Sequence, residues 1–447
     1  MGIRCLLIST NQVTVPYPVY PLGIAHLVGA LEDAGHTATH VDLMAHGGLA
    51  ALGEHVANGS PDLVGLSLRN LDMVDSTVPD TFLADFAAVV EVVRGRSTAP
   101  VVLGGPAFSL MPEEIRERLG AEYGIAGEGE SLLPWLADRV AEGAAPPPCV
   151  LTGPPAPDPW RPVVYDRTAA AYYLRRGGML NIQTKRGCPF RCDYCSYPHL
   201  EGHRLRVREP EAVAAEVARV SRELGARYIF FTDAVFNDPA GHYLEVAEAL
   251  VRAGNRTPWC AFFRPSHLTS EAIALMKRAG LAAMELGSDA ATDDTLAGLH
   301  KGFDFAEVIA TNEAARKAAV PCAHFLIFGG PGEDDGTLRE GLKNVECLAE
   351  TVVFAFAGIR ILPHTAIHRR AIADGVIGRD RSLLTPAYYF SPAIEPTRLD
   401  ATLRAAWANR VDRIYPCSEV QGRIDFLHGQ GYVGPLWDLM HTHRVRK

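Results

Sequence analysis

Three thiols fall within eight residues in Gly187-Cys188-Pro189-Phe190-Arg191-Cys192-Asp193-Tyr194-Cys195, spaced four and three apart. Gly187 and Pro189 disfavour helix, so the segment reads as a loop whose thiolates can converge on one metal centre. Iron–sulfur clusters are held by cysteine thiolates, and a four-iron cluster needs four of them for saturation. Three leave one iron with an open position, and an open position on a metal site is a mark of chemistry. The alternative is a closed structural zinc site made of Cys188, Cys192, Cys195 and His199, a ligand set that zinc accepts readily.

The elements that must position these thiols follow a strand–helix alternation. In the first 140 residues, short apolar runs at Ile3–Ile8, Ala38–Val41, Leu63–Leu68, Val101–Leu103 and Tyr123–Ala126 are separated by helix-period stretches. This pattern predicts a doubly wound parallel sheet, which binds ligands beyond the carboxyl ends of its strands. A cluster of prolines from Pro146 to Pro162 then reads as a linker. From Met179 six further strands are expected, at Leu180–Thr184, Tyr228–Thr232, Trp259–Phe263, Ala282–Leu286, Ala323–Phe328 and Val353–Ile361. Helices between them suggest a partial parallel barrel with its active groups on the loops after the strands. The division is therefore an α/β chain with a Rossmann-like domain (1–145), a Pro-rich linker (146–178), a partial (β/α)6 barrel (179–385) and a small C-terminal extension (386–447).

The Cys-x3-Cys-x2-Cys spacing, with Tyr194 before the last cysteine and the loop placed after the first barrel strand, resembles the signature of the radical S-adenosylmethionine (SAM) superfamily. The resemblance implies a [4Fe-4S] cluster on Cys188, Cys192 and Cys195, whose open iron chelates the methionyl end of SAM. It further implies that Tyr194 lies near the adenine, and it extends to later strand ends. Asp233 closes the second strand, Arg264 follows the third, and Glu285 and Ser288 belong to the fourth. There the family text is closer to Gly-x-Glu-Ser-Gly, so Ser288 and Asp289 are departures. Gly330-Pro331-Gly332-Glu333 follows the fifth strand as in the family, and Arg360 and Ile361 lie on the sixth, where the family backbone runs along the adenine. Asp233, Arg264, Glu285, Ser288, Arg360 and Ile361 are accordingly expected SAM contacts.

The domain before the barrel resembles the cobalamin-binding domain of the B12-dependent radical SAM branch. The residues that carry this are Thr10 and Asn11 after the first strand, Ser67-Leu68-Arg69-Asn70 after the third, Gly104-Gly105-Pro106 after the fourth, and Gly127-Glu128-Gly129-Glu130 after the fifth. Paired glycines let backbone approach a large flat ligand without a Cβ clash. Taken alone, these are ordinary strand-to-helix turns. Proteins that ligate cobalt from below carry Asp-x-His-x-x-Gly after the first strand. Here Ser9–Pro16 holds no histidine, and His46, after the second strand, has the wrong spacing. The expectation is methylcobalamin with no protein histidine on cobalt.

What the resemblance implies is C-methylation of an unactivated carbon, through a 5′-deoxyadenosyl radical and methylcobalamin, on a natural-product or lipid-type small molecule. A flavodoxin or ferredoxin would supply electrons. Ring formation or rearrangement without net methyl transfer is the alternative. A tRNA methylthiotransferase would need further N-terminal cysteines and a basic RNA-binding domain, and only Cys5 and Cys149 precede the loop. Composition agrees with an enzyme of this kind. With 447 residues, 48% hydrophobic and 21% charged, the chain is neither disordered nor fibrous. Its 43 basic and 52 acidic residues argue against a nucleic-acid partner. Nine cysteines, an odd number thinly spread, fit a reducing cytoplasm, and no apolar run reaches the ~20 residues of a membrane span. Cys260, Cys322, Cys347 and Cys417 are expected to be small buried hydrophobes.

Overall fold

The computed structural model describes residues 2–14, 17–155 and 163–442. Pro16, the linker prolines Pro157, Pro159 and Pro162, and the basic tail 443–447 lie outside them.

The first layer is a six-stranded sheet of β1 (Arg4–Ser9), β2 (Thr37–Asp42), β3 (Leu63–Ser67), β4 (Val101–Gly104), β5 (Tyr123–Ala126) and β6 (Cys149–Thr152), in the order β2-β1-β3-β4-β5-β6. All five pairings are parallel. Register sets Ser9 beside Ser67 and Ser67 beside Gly104, so the polar residues ending these strands form one row. The strand order reverses between β1 and β3, and that switch point is where such sheets open a ligand crevice. β6 corrects the linker expectation. Its prolines, Pro146 to Pro148, immediately precede an edge strand, where a missing N–H donor is tolerated. Arg167–Gly177, also assigned to the linker, is a helix whose N-terminus is capped by the Asp166 side chain accepting from the Ala169 N–H.

The second layer begins with β7 (Met179–Ile182). It is followed by an antiparallel hairpin of β8 (Lys185–Arg186) and β9 (Arg206–Val207), which frames the cysteine loop. Then come β10 (Tyr228–Phe231), β11 (Trp259–Phe263), β12 (Leu281–Asp289), β13 (Cys322–Phe328) and β14 (Val352–Ala357). The predicted run to Ile361 ends at Ala357 instead. β15 (Ile359–Arg360) peels away and pairs antiparallel with β16 (Tyr388–Tyr389). The C-terminal segment supplies a seventh parallel strand, β17 (Arg413–Ile414), after a helix over Pro396–Trp407. The sheet order is β17-β14-β13-β12-β11-β10-β7, a partial barrel one strand larger than the sequence suggests.

Alternation along these strands decides what faces the lumen. Ile229, Phe231, Trp259, Ala261, Phe263, Met284 and Leu286 pack outward in one core with helix residues such as Val217 and Val246. Tyr228, Phe230, Cys260, Ala283, Ala323 and Phe354 pack inward, together with Tyr17 from the first domain and Trp437 from the C-terminal segment. Among the other free cysteines, Cys260 and Cys322 are buried as expected, whereas Cys417 is half-buried and Cys347 is exposed on the turn after the helix Asp335–Val345.

Candidate functional site

The cysteine loop is fixed at its root by Asp233. Its carboxylate accepts from the Thr184 N–H (2.7 Å), the Lys185 N–H (3.2 Å) and Lys185 Nζ (3.3 Å). Lys185 Nζ also donates to the Phe236 carbonyl (2.7 Å) and pairs with Asp238 (3.5 Å). Gly187 then turns with φ of 93°, and a Cβ there would meet the Arg204 carbonyl oxygen at 2.3 Å, so only glycine fits. The Cys188 N–H donates to Gly202 O (3.0 Å) and the Cys195 N–H to Cys192 O (3.1 Å), which turns the loop back on itself.

The three thiols feel one another. Burial, then the neighbouring sulfurs, push Cys195 up to about 12 and raise Cys188. Two cations meet at Cys192 Sγ, Lys301 Nζ at 3.6 Å and Arg264 Nη1 at 3.9 Å. The Arg264 guanidinium lies over the rings of Phe190 (4.0 Å) and Phe303 (4.7 Å), and its Nε donates to Ser266 Oγ (3.0 Å). Lys301 is ion-paired to Asp289, which also accepts from the Tyr194 hydroxyl. Among the described residues no three His, Cys, Asp or Glu side chains stand close enough together to hold a metal ion. This applies to the three thiols and to the zinc set alike, and His199 stacks on His364 at 4.0 Å. The donor chemistry nevertheless favours an iron–sulfur cluster: three thiols on one loop, with two buried cations turned toward Cys192, suit an anionic thiolate-bound centre.

The other expected SAM contacts are placed unevenly. Tyr194 and Arg264 stand at the cysteines as described above. The Asp233 side chain is committed to the loop root and is a positioning residue. Ser288 Oγ bonds His324 Nδ1 (2.8 Å), and His324 Nε2 bonds Asn312 Oδ1 (3.1 Å). Arg360 is carried off on β15 to a buried ion pair with Asp72 (2.7 Å), and Ile361 is buried with its N–H donating to Ala387 O (2.8 Å). For Asp233, Ser288 and Arg360 the cause is shared: a polar residue near a strand end reads as ligand-facing until a long-range partner claims it. Lys301 was missed, because one lysine in a loop after the short helix Asp293–Gly298 carries no spacing signal.

Between the two sheets lies a cavity of about 560 Å³. Asn11, Ser67, Arg69, Asn70, Gly104, Gly105, Pro106, Gly127, Glu128, Gly129 and Glu130 line it from the first domain. Gln183, Arg186, Ser196, Tyr197, Leu200 and Glu201 line it from the barrel, so the segment directly after Cys195 forms part of its wall. Gly105 has φ of 98°, and a Cβ would stand 2.6 Å from Leu68 O. Leu68 itself is a correction. Its side chain is fully buried, and its backbone bonds Gly104 O (2.8 Å) and the Ala107 N–H (3.0 Å), which staples the ends of β3 and β4. Thr10 donates to Ser67 O (2.8 Å) and lines an adjoining cavity of about 240 Å³ that Arg69 and Asn70 share. Glu128 and Glu130 bind across the domain boundary to Arg186 (3.3 and 2.6 Å), and Glu128 also accepts from Arg206. Burial lowers the Arg69 guanidinium, and no carboxylate pairs with it among the described residues.

Two family profiles match this architecture in order, the B12 binding domain over residues 8–137 and the radical SAM superfamily over residues 182–344. The chain belongs to the cobalamin-binding radical SAM enzyme family, on its methyltransferase-type branch. It is 27% identical to tryptophan 2-C-methyltransferase of Streptomyces laurentii over 83% of this chain and 75% of that protein. It is 26% identical to hopanoid C-3 methylase of Methylococcus capsulatus over 69% of this chain and 60% of that one. A solved structure of the radical SAM methyltransferase TsrM from Kitasatospora setae, with cobalamin and a [4Fe-4S] cluster bound, superposes with a TM-score of 0.85 at 25% identity, covering 100% of this chain and 98% of that one. No helix among the described residues is long and apolar enough to cross a membrane.

Within this radical SAM barrel, Glu285 is a further correction to the expected SAM contacts. It points into the lumen, where Tyr17 OH and Trp437 Nε1 each donate to its Oε1 at 3.0 Å. Burial pushes its carboxyl up to about 7, and the two donors only partly offset this. A carboxyl whose folded value exceeds its unfolded one is favoured protonated, so its contribution to stability is full below the unfolded value and is lost as pH rises toward 7. Glu285→Gln keeps an acceptor for both donors. It is expected to match the parent in melting temperature at pH 4 and to exceed it at pH 8, by up to about 3 kcal/mol in stability. Parallel melting curves for the two proteins from pH 4 to pH 8 would show that the carboxyl is not held proton-bearing.

Proposed function

We propose that this enzyme transfers a methyl group to a carbon of a small-molecule substrate, using a [4Fe-4S] cluster on Cys188, Cys192 and Cys195, SAM, and cobalamin in the interdomain cavity. The observation that carries this reading is the shared wall: Ser196 and Tyr197, next after the last cysteine, face the same space as Ser67, Gly104 and Gly105. When bound, the cluster supplies the electron that cleaves SAM, and the corrin supplies the methyl group. The chain's own part is to hold charge, orientation and dryness. Arg264 and Lys301 offset the negative charge at Cys192, and Asp289 with Tyr194 holds Lys301 in place. Gly104 and Gly105 give the flat ligand close backbone approach, and Arg69 with Asn70 offers it unpaired donors. Cobalt is proposed to carry no protein histidine, since none stands in the loop after β1.

The substrate chamber is proposed to be the barrel lumen. Phe262 is 40% exposed there, with its ring 5.2 Å from Phe230 and 6.5 Å from Phe325, which stacks on Phe354 at 5.1 Å. Phe262 is the last residue but one of β11, and Arg264 follows the end of that strand, so the aromatic wall adjoins the segment that reaches the cysteine site. Such a wall suits an apolar or aromatic ring, a class to which the tryptophan acted on by one relative belongs. Phe262→Ala is expected to raise the KM of the methyl acceptor roughly tenfold, which corresponds to about 1.4 kcal/mol. An unchanged KM would place the substrate elsewhere.

The deciding assay supplies reconstituted enzyme with SAM, methylcobalamin, a reductant such as flavodoxin, and candidate acceptors. Methylation at an unactivated carbon yields S-adenosylhomocysteine together with 5′-deoxyadenosine. 5′-Deoxyadenosine alone, with an unmethylated rearranged product, would favour the ring-forming alternative.

A further inference from the structure

The helix Leu22–Asp33 presents one face to the interdomain cavity, with Leu22, Gly23, His26 and Leu27 lining it at helical spacing. His26 is 4% exposed, and both of its ring nitrogens are buried without a hydrogen-bond partner. The other buried imidazoles differ. His40 bonds Ser9 Oγ (2.7 Å), His242 bonds Arg208 O (2.7 Å), His36 accepts from the Ile3 N–H (3.3 Å), and both nitrogens of His324 are used. Buried polar atoms are ordinarily satisfied, so two orphans on one ring at a cavity wall point to a ligand. Burial, reinforced by the nearby Arg186 and Arg208 and only partly opposed by Glu128, holds His26 at about 3, so the ring is neutral.

A neutral imidazole carries one donor and one acceptor. Phosphate or carboxylate offers only acceptors and would leave one nitrogen unmet. Ligation of cobalt would also leave one unmet, because a metal-bound imidazole normally passes its other N–H to a carboxylate or carbonyl, and none is within reach of His26. Primary carboxamides carry both acceptors and donors, and the rim of a corrin carries several. We infer that His26 binds rim carboxamides of the corrin, accepting from the NH2 of one and donating to the carbonyl of another. This rests on cobalamin occupying the cavity.

The test titrates corrin-free protein with hydroxocobalamin, followed by visible absorbance, and repeats the titration with cobinamide, which keeps the rim amides and lacks the nucleotide tail. His26→Ala is expected to raise Kd roughly tenfold for both ligands. His26→Gln, whose amide also carries a donor and an acceptor, should recover most of the loss. Far-UV circular dichroism and iron content after reconstitution report whether each variant folds. An unchanged Kd in both variants would overturn the assignment, as would a penalty seen with hydroxocobalamin but absent with cobinamide. So would a nitrogen hyperfine splitting in the reduced cobalt spectrum that changes on 15N-histidine labelling, since that would make His26 a cobalt ligand. If the parent protein binds neither corrin, the cofactor reading fails first, and the inference falls with it.

Discussion

Cys192→Ala is expected to leave a protein that takes up almost no iron on anaerobic reconstitution, shows no broad visible absorbance and forms no 5′-deoxyadenosine, yet still binds cobalamin. Cys192 is the sulfur on which Lys301 (3.6 Å) and Arg264 (3.9 Å) converge, so its loss removes a ligand and also the anion these cations face. Alanine leaves the two cations with Asp289 alone between them, a poor setting for an anionic cluster. Corrin binding should survive because the cavity is walled by β3, β4 and β5 and by Ser196 and Tyr197, not by the Cys192 side chain. Iron content, SAM cleavage and cobalamin binding are measured on one preparation. Retained cleavage would mean that the loop does not hold the cluster. Parent protein that binds one zinc tightly and develops no absorbance would point to a structural zinc site instead.

Local chemistry was legible in the sequence wherever the signal was itself local. The cysteine spacing, the glycine pairs ending β4 and β5 and the alternation of strands and helices each depend on a few neighbouring residues. The cavity accordingly includes most of the residues expected to meet cobalamin. Side-chain partnerships across the chain were not legible. Asp72 and Arg360 are 288 residues apart, Tyr17 and Glu285 are 268 apart, and Trp437 reaches Glu285 across 152. No spacing rule announces such pairs, because the fold creates them only after the domains have closed. This is why Glu285 and Arg360 read as SAM contacts when one is bonded inside the lumen and the other ties two domains together. The seventh strand was hidden for a related reason. Arg413–Ile414 is two residues long, and its pairing beside Val353–Phe354, not its own composition, makes it a strand.

The tie between the domains gives the second large effect. Asp72 is 3% exposed and Arg360 is 2% exposed, with Nε to Oδ2 at 2.7 Å, and Arg360 donates further to the carbonyls of Ile361 (2.7 Å) and Leu383 (2.8 Å). Nearby, Ser76 Oγ donates to Ala357 O (2.6 Å) and Tyr388 OH to Asp75 O (3.0 Å), so the segment after β3 is pinned to the barrel by three side chains. Asp72 also lines the interdomain cavity. Asp72→Ala leaves a buried guanidinium without its anion, which is expected to cost about 3–5 kcal/mol. The loss should appear as a lower melting temperature, faster proteolysis after β3 and weaker cobalamin binding. Replacing both partners, as Asp72→Ala with Arg360→Met, removes the stranded charge and should restore part of the stability, limited by the two carbonyls left without a donor. If Asp72→Ala alone shifts stability by less than about 1 kcal/mol, the pair behaves like a surface ion pair. Closure of the cavity would then rest on the ion pairs of Arg186 and Arg206 with Glu128 and Glu130.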